Sequence, residues 1–199
     1  EKALEEDLPV WNDEMYLEAH RGTYTTKGRL KKLNRQSEVL YRDVEMMAVF
    51  AWGGSEEYPN EALDKGWKML LGTQFHDALP GTHINEVYHY LLDEYEELQS
   101  IAHDIRERAA DAIFGAEKGR HVLIFNSLMT ERAGIISLPA SVLEGRLLSD
   151  ETGTPYVQQA VENFDGTAEA LVEIRSPLPC VGGRIFDLTD TVAKPPPYT

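Results

Sequence analysis

The sequence predicts an α+β chain: an antiparallel three-helix bundle followed by part of an antiparallel β-sandwich-like domain. Three observations carry this. Before Gly119, apolar or small residues recur at spacings of three and four over three long stretches, the period of a half-buried helix. The stretches are joined by short connections that contain Gly53-Gly54 and Pro80-Gly81, so neighbouring helices must fold back on one another. After Gly119 the apolar runs shorten and are bounded by turn residues, which reads as strands. The division places a helical domain at 1–118 and the start of a β domain at 119–199.

The first helix is expected from about Thr26 to Trp52, with Thr25 or Thr26 as its cap. Its stripe reads Leu30, Leu33, Ser37, Leu40, Val44, Met47 and Ala51, and Gly53-Gly54 stops it. A second helix opens at Pro59-Asn60, with Asn60 as cap, and runs through Leu63, Trp67, Leu70 and Leu71 to about Phe75 before Pro80-Gly81. The third spans about Asn85 to Phe114, its stripe running Val87, Leu91, Tyr95, Leu98, Ile101 or Ala102, Ile105, Ala109 and Ala112. Strands are expected at Val122–Phe125, Ala133–Leu138, around Tyr156-Val157, at Ala168–Ile174 and at Ile185–Leu188. Five or so strands leave sheet edges that further chain would cover.

Composition narrows the function classes. The formal net charge of −15 repels phosphates and anionic lipid, so neither nucleic acid nor membrane is an expected partner. With 42% hydrophobic and 27% charged residues the chain is globular in kind, and no apolar run approaches the roughly 20 residues of a membrane span. The basic run Lys27, Arg29, Lys31, Lys32 and Arg35 reads as a solvated helix face. Cys180 is the lone cysteine, which goes with a reducing, cytoplasmic setting. The opening Glu1-Lys2-Ala3-Leu4 has neither initiator Met nor apolar leader, and reads as the interior of a longer protein.

Two segments are chemically unlike their surroundings. Glu14 to Thr26 packs Glu14, His20, Arg21, Tyr24 and several hydroxyls just ahead of a helix. Gln74-Phe75-His76-Asp77-Ala78-Leu79-Pro80-Gly81-Thr82 sets a His-Asp pair where a helix gives way to a Pro-Gly turn. Polar side chains at the mouth of a bundle can converge on a ligand. By residue type alone, a His beside an Asp is equally a structural pair, and Arg21 equally an ion-pair partner. No zinc-finger spacing, His-Glu-x-x-His helix, nucleophile elbow or phosphate-binding Gly loop is present.

The segment from Trp67 to Thr82, reading Trp-x-x-Leu-Leu-x-x-Gln-Phe-His-Asp-x-Leu-Pro-Gly-Thr, resembles the middle-domain signature of family 38 glycoside hydrolases, the α-mannosidases. Glu14-Met15-Tyr16-Leu17-Glu18, His20 to Thr26, then Lys32, Asn34, Arg35 and Glu38, resemble the entry to that domain in its bacterial branch. Val122 to Ser127, then Asp150, Gly153 and Gln158, are similar to the start of its β domain. The resemblance implies a zinc-dependent retaining hydrolase of α-mannosides in which His76 is a zinc ligand and Asp77 contacts the substrate's hydroxyls. His20 takes an aromatic position near the sugar, and Arg21, Tyr24 and Glu14 are further candidates for the same pocket. The nucleophile and the other zinc ligands are expected in an N-terminal α/β domain of the same protein, so no catalytic residue is expected here. On its own the chain is expected to be inactive and metal-free. Two alternatives stay open: a hydrolase of mannosylglycerate-type small mannosides, and a non-catalytic helical adaptor with a β module.

Overall fold

The structure, a computed structural model, describes Val10, Asn12 and residues 21–114, 121–164 and 166–190. Glu14 and His20 lie outside the described residues. A 3-10 turn, Arg21–Tyr24, precedes three long helices: α1 (Gly28–Trp52), α2 (Asn60–Thr73) and α3 (Asn85–Phe114). Six strands and one short helix follow: β1 (His121–Asn126), β2 (Arg132–Pro139), α4 (Ala140–Leu143), β3 (Leu147–Ser149), β4 (Gln158–Glu162), β5 (Ala168–Leu178) and β6 (Gly182–Thr189). Two compact units result: the chain up to Glu45 with Pro59–Ile105, and Met46–Tyr58 with the chain from Arg106 on.

In the helical unit the helices run up, down and up. Tyr41 lies against Gly66 and Trp67 while Asn34 meets Gln74, so α2 descends along α1. Lys27 stands over the Tyr88 ring and Ser37 accepts from Gln99, so α3 ascends beside it. The core includes Leu30, Tyr41, Val44, Leu63, Leu70, Leu91, Tyr95 and Leu98, all buried.

The buried face of α1 includes Leu30, Ser37, Val44 and Met47 of the stripe read in the sequence, but is not the whole of it. Asn34, Tyr41 and Ala48 are buried, while Leu33, Leu40 and Ala51 are only half-buried. Three polar residues of this face have partners waiting, which removes the penalty for burying them. Tyr41 donates its hydroxyl to Leu98 O at 2.6 Å. Gln99 Nε2 donates to Ser37 Oγ at 3.0 Å, and Gln74 Nε2 to Asn34 Oδ1 at 3.0 Å. Two cap expectations also change. The first helix begins at Gly28 and the Thr25 hydroxyl bonds back to Gly22 O. Asn60 is the first helical residue of α2 and Pro59 the cap, as suits a proline that lacks an N–H. Gly54, at φ +82°, ends the turn after α1 as expected.

The β unit holds two three-stranded antiparallel sheets, in orders β1-β6-β3 and β2-β5-β4. Val122 is opposite Phe186, and Ile136 opposite Val172. Leu148, Tyr156, Val172, Ile174 and Phe186 form the core of the unit. Strands β3 and β4, and the one-turn α4, were not expected from the sequence. β3 is only three residues long, and β4 begins just past the Tyr156-Val157 position read in the sequence and has an irregular burial pattern, so neither carries a sustained alternation. Around Tyr156-Val157 the ladder begins only at Gln158, although Tyr156 N–H already donates to Leu148 O at 2.8 Å. Among the described residues no helix is long and apolar enough to cross a membrane.

Candidate functional site

The turn after α2 carries the His-Asp pair. The helix ends at Thr73, whose Oγ1 lies 2.8 Å from Leu70 O and 2.9 Å from the Tyr95 hydroxyl. The backbone then winds on through Ala78 N to Phe75 O at 2.8 Å and Gly81 N to Ala78 O at 3.1 Å. Ala78 is buried and anchors the turn, whereas His76 and Asp77 face out with side chains 76% and 66% exposed. His76 Nε2 lies 3.5 Å from Asp77 Oδ2, too long for a strong ion pair, and the His76 ring packs against Phe75 at 4.2 Å between centroids. The Thr82 hydroxyl approaches Asp77 Oδ1 at 3.5 Å. The imidazole therefore keeps nitrogen lone-pair capacity for a partner outside the bundle.

Helix α1 grips the turn at both ends. On the near side Gln74 Nε2 donates to Asn34 Oδ1 and to Glu38 Oε1, each at 3.0 Å, and Asn34 Nδ2 donates to the same Glu38 oxygen at 3.1 Å. Arg35 holds the other Glu38 oxygen at 3.2 Å. On the far side Lys31 Nζ donates to Leu79 O at 3.1 Å and Pro80 O at 3.4 Å, and also to Thr26 O at 2.6 Å. Burial holds the pKa of this half-buried ammonium below its ordinary value. Gly81 has φ +84° and its Cα faces Thr26: an added Cβ would sit 3.0 Å from Thr26 O. Thr26 thus joins the two segments that stood out in the sequence.

Arg21 and Tyr24 are exposed on the 3-10 turn ahead of Thr26. His83 lies in the bend just before α3, and His89 and His103 lie on that helix. His83 Nδ1 lies 3.0 Å from Ile84 O, and its ring stacks on Tyr88. Among the described residues no group of three or more His, Cys, Asp or Glu converges on one point. An imidazole beside a carboxylate suits zinc chemically, but supplies fewer than the roughly four ligands that zinc takes. A metal held at His76 needs ligands from elsewhere in the protein.

Part of the basic run is not a solvated face. Lys31 caps carbonyls and Lys27 Nζ stands 4.2 Å from the Tyr88 ring centroid, whereas Arg29 and Lys32 are exposed as expected. The signal was in the spacing: residues 31, 34 and 38 fall on one side of α1.

Residues 18–113 match the α-mannosidase middle domain. Alpha-mannosidase 2C1 of Mus musculus is 38% identical over 143 residues, covering 69% of this chain and 14% of that protein. The 2C1 enzyme of Homo sapiens is 37% identical over 143 residues, with the same 69% and 14% shares. The alpha-mannosidase of Saccharomyces cerevisiae is 44% identical over 87 residues, 42% of this chain and 8% of that protein. The crystal structure of an alpha-mannosidase from Enterococcus faecalis V583 superposes with a TM-score of 0.68 at 16% identity, over 89% of this chain and 25% of that one. A glycosyl hydrolase family 38 protein from Enterococcus faecalis gives a TM-score of 0.64 at 17% identity, over 100% of this chain and 28% of that one. At these identities the solved structures speak for the fold alone.

Proposed function

Since this chain belongs to the family 38 α-mannosidases, residues 18–113 being their middle domain, we propose that it is one part of a zinc-dependent retaining enzyme that hydrolyses terminal α-mannosides. The chain spans 14% of the length of its 2C1 relatives, so the activity is that of a longer protein. In this reading residues 1–118 are the middle domain and 119–199 begin the C-terminal β domain. An N-terminal α/β domain of the same protein supplies the nucleophile and the remaining zinc ligands. The exposed thiol of Cys180 goes with a reducing, cytoplasmic setting.

The observation that carries the proposal is the exposed His76 imidazole on a turn fixed at both ends. His76 offers a ring nitrogen to the metal, and Asp77 accepts hydrogen bonds from the sugar's hydroxyls. The family resemblance assigns Arg21, Tyr24, His20 and Glu14 to the same sugar pocket. Zinc, when bound, would stabilise developing charge and orient the sugar. Retaining hydrolysis also needs two carboxyls roughly 5–5.5 Å apart, which this reading assigns to the upstream domain.

Two substitutions in the full-length protein test the assignment. His76→Ala removes a ligand and is expected to lose bound zinc and nearly all turnover of an aryl α-mannoside, with helical content unchanged. Asp77→Ala is expected to keep more of its zinc and lose turnover. Stoichiometric zinc and normal turnover in His76→Ala would return His76 to a structural role.

A further inference from the structure

The backbone bonds of the His76 turn run within the turn itself, from Ala78 N and Leu79 N to Phe75 O and from Gly81 N to Ala78 O, and do not tie it to α1. Between Thr73 and Gly81 only Ala78 is buried, so the position of His76 depends on how the two flanks are held. The near flank is a helix end tied by the Gln74, Asn34 and Glu38 side chains. The far flank contains Pro80, which lacks an N–H, and its carbonyls at Leu79 and Pro80 receive the Lys31 ammonium. The same ammonium is held on its own side too: Thr26 O, two residues ahead of the start of α1, accepts from it at 2.6 Å. A lysine has three N–H protons, and three carbonyls surround this one.

We propose that Lys31 is a positioning residue for His76, locking the far flank of the turn to the start of α1 so that the imidazole is presented to the metal in one place. The role rests on the zinc reading above. A ligand that must meet others across the protein loses affinity when its own placement is free, because ordering it then falls on the binding step. Lys31 touches neither the metal nor the sugar; it acts through the backbone of Leu79 and Pro80.

The test uses the full-length enzyme carrying Lys31→Met, which keeps the apolar stem and removes the ammonium, and Lys31→Arg, which restores donors. Zinc affinity is read by chelator competition well below the melting midpoint, with circular dichroism and the kcat against KM split measured alongside. Lys31→Met is expected to bind zinc about 10–100-fold more weakly, the range typical of groups that orient a metal ligand. Its helical content is expected to match wild type, its kcat to recover substantially at saturating zinc, and Lys31→Arg to regain most of the affinity. Should Lys31→Met not fold, Lys31→Gln, which keeps a neutral donor, is read in the same way. Wild-type zinc affinity in a folded Lys31→Met with a lowered midpoint would overturn the proposal and leave Lys31 purely structural. His76→Ala, measured in parallel, separates the two ideas. Loss of zinc there with none in Lys31→Met sinks only the positioning role, whereas zinc retained in His76→Ala sinks the metal reading and the positioning role together.

Discussion

Gly66 reverses the usual sign of a helical glycine-to-alanine change. In an exposed helix interior, Gly→Ala stabilises by about 1 kcal/mol. Here Gly66 is buried on α2, and an added Cβ would overlap the hydroxyl and ring edge of Tyr41. The ring has little room to retreat. It is fully buried, tilted against Trp67 at 5.3 Å between centroids, and tied to Leu98 O at 2.6 Å. Overpacking of this kind costs about 1–3 kcal/mol. Pulling the hydroxyl off a buried carbonyl adds about 1–3 kcal/mol for the groups left unpaired. Set against the gain in helix propensity, the net loss is about 3 kcal/mol, or roughly 6–12 °C in melting midpoint for a chain of this size. Thermal melting followed by far-UV circular dichroism measures it. Tyr41→Phe in the Gly66→Ala background removes the overlapping oxygen and should cost less than the sum of the single changes. A Gly66→Ala midpoint at or above wild type would refute the packing argument.

Three further outcomes are expected. Gly81→Val forces a β-branched residue into φ +84° and sets its Cβ 3.0 Å from Thr26 O. It should lower the midpoint by the equivalent of about 1–3 kcal/mol or more, and an unchanged melting curve would count against the turn geometry. Burial pushes the Tyr41 pKa up to about 12 from its ordinary 10.0, so its contribution to stability is complete below pH 10 and is lost as pH rises toward 12. Denaturant titrations should therefore show weakening across that window, less steep in Tyr41→Phe, with a remaining slope from Tyr95, whose pKa burial also raises. Asp150 Oδ1 accepts from Thr152 Oγ1 at 2.6 Å, Thr152 N at 2.8 Å and Thr154 N at 3.0 Å, and these bonds hold its carboxyl below the usual range. Its contribution is present above the unfolded carboxyl's pKa and lost as pH falls through the lower folded value. Asp150→Ala should thus melt below wild type at neutral pH, and the gap should close on acidification.

The helices were legible because each buries a long stripe, and apolar spacings of three and four sustained over many residues match the helical period and not the strand period of two. The third helix runs from Asn85 to Phe114, as its pattern indicates. The turn at Gly81 was legible for a different reason: Pro followed by Gly at a helix exit leaves few backbone solutions, and φ is indeed positive there. The strands β3 and β4 were the least legible, since segments of three and five residues are too short to show a period-two alternation of their own. Part of the polar side of the α1 face was hidden as well. Asn34 and Tyr41 look like surface or neutral residues until Gln74 and the Leu98 carbonyl arrive from helices distant in sequence.

By itself the sequence determined the helical bundle, the change to strands after it, and the His76-Asp77 pair with its family resemblance, because these are set by local periodicity and by side-chain chemistry at fixed spacing. Only the tertiary structure decided that Asn34 and Tyr41 join the buried face of α1, that Gly66 makes room for Tyr41, and that Lys31 leaves the solvated face to hold the turn bearing His76. Each of these depends on a hydrogen bond or a close approach between residues far apart along the chain, and a buried polar group becomes favourable only once its partner is in place.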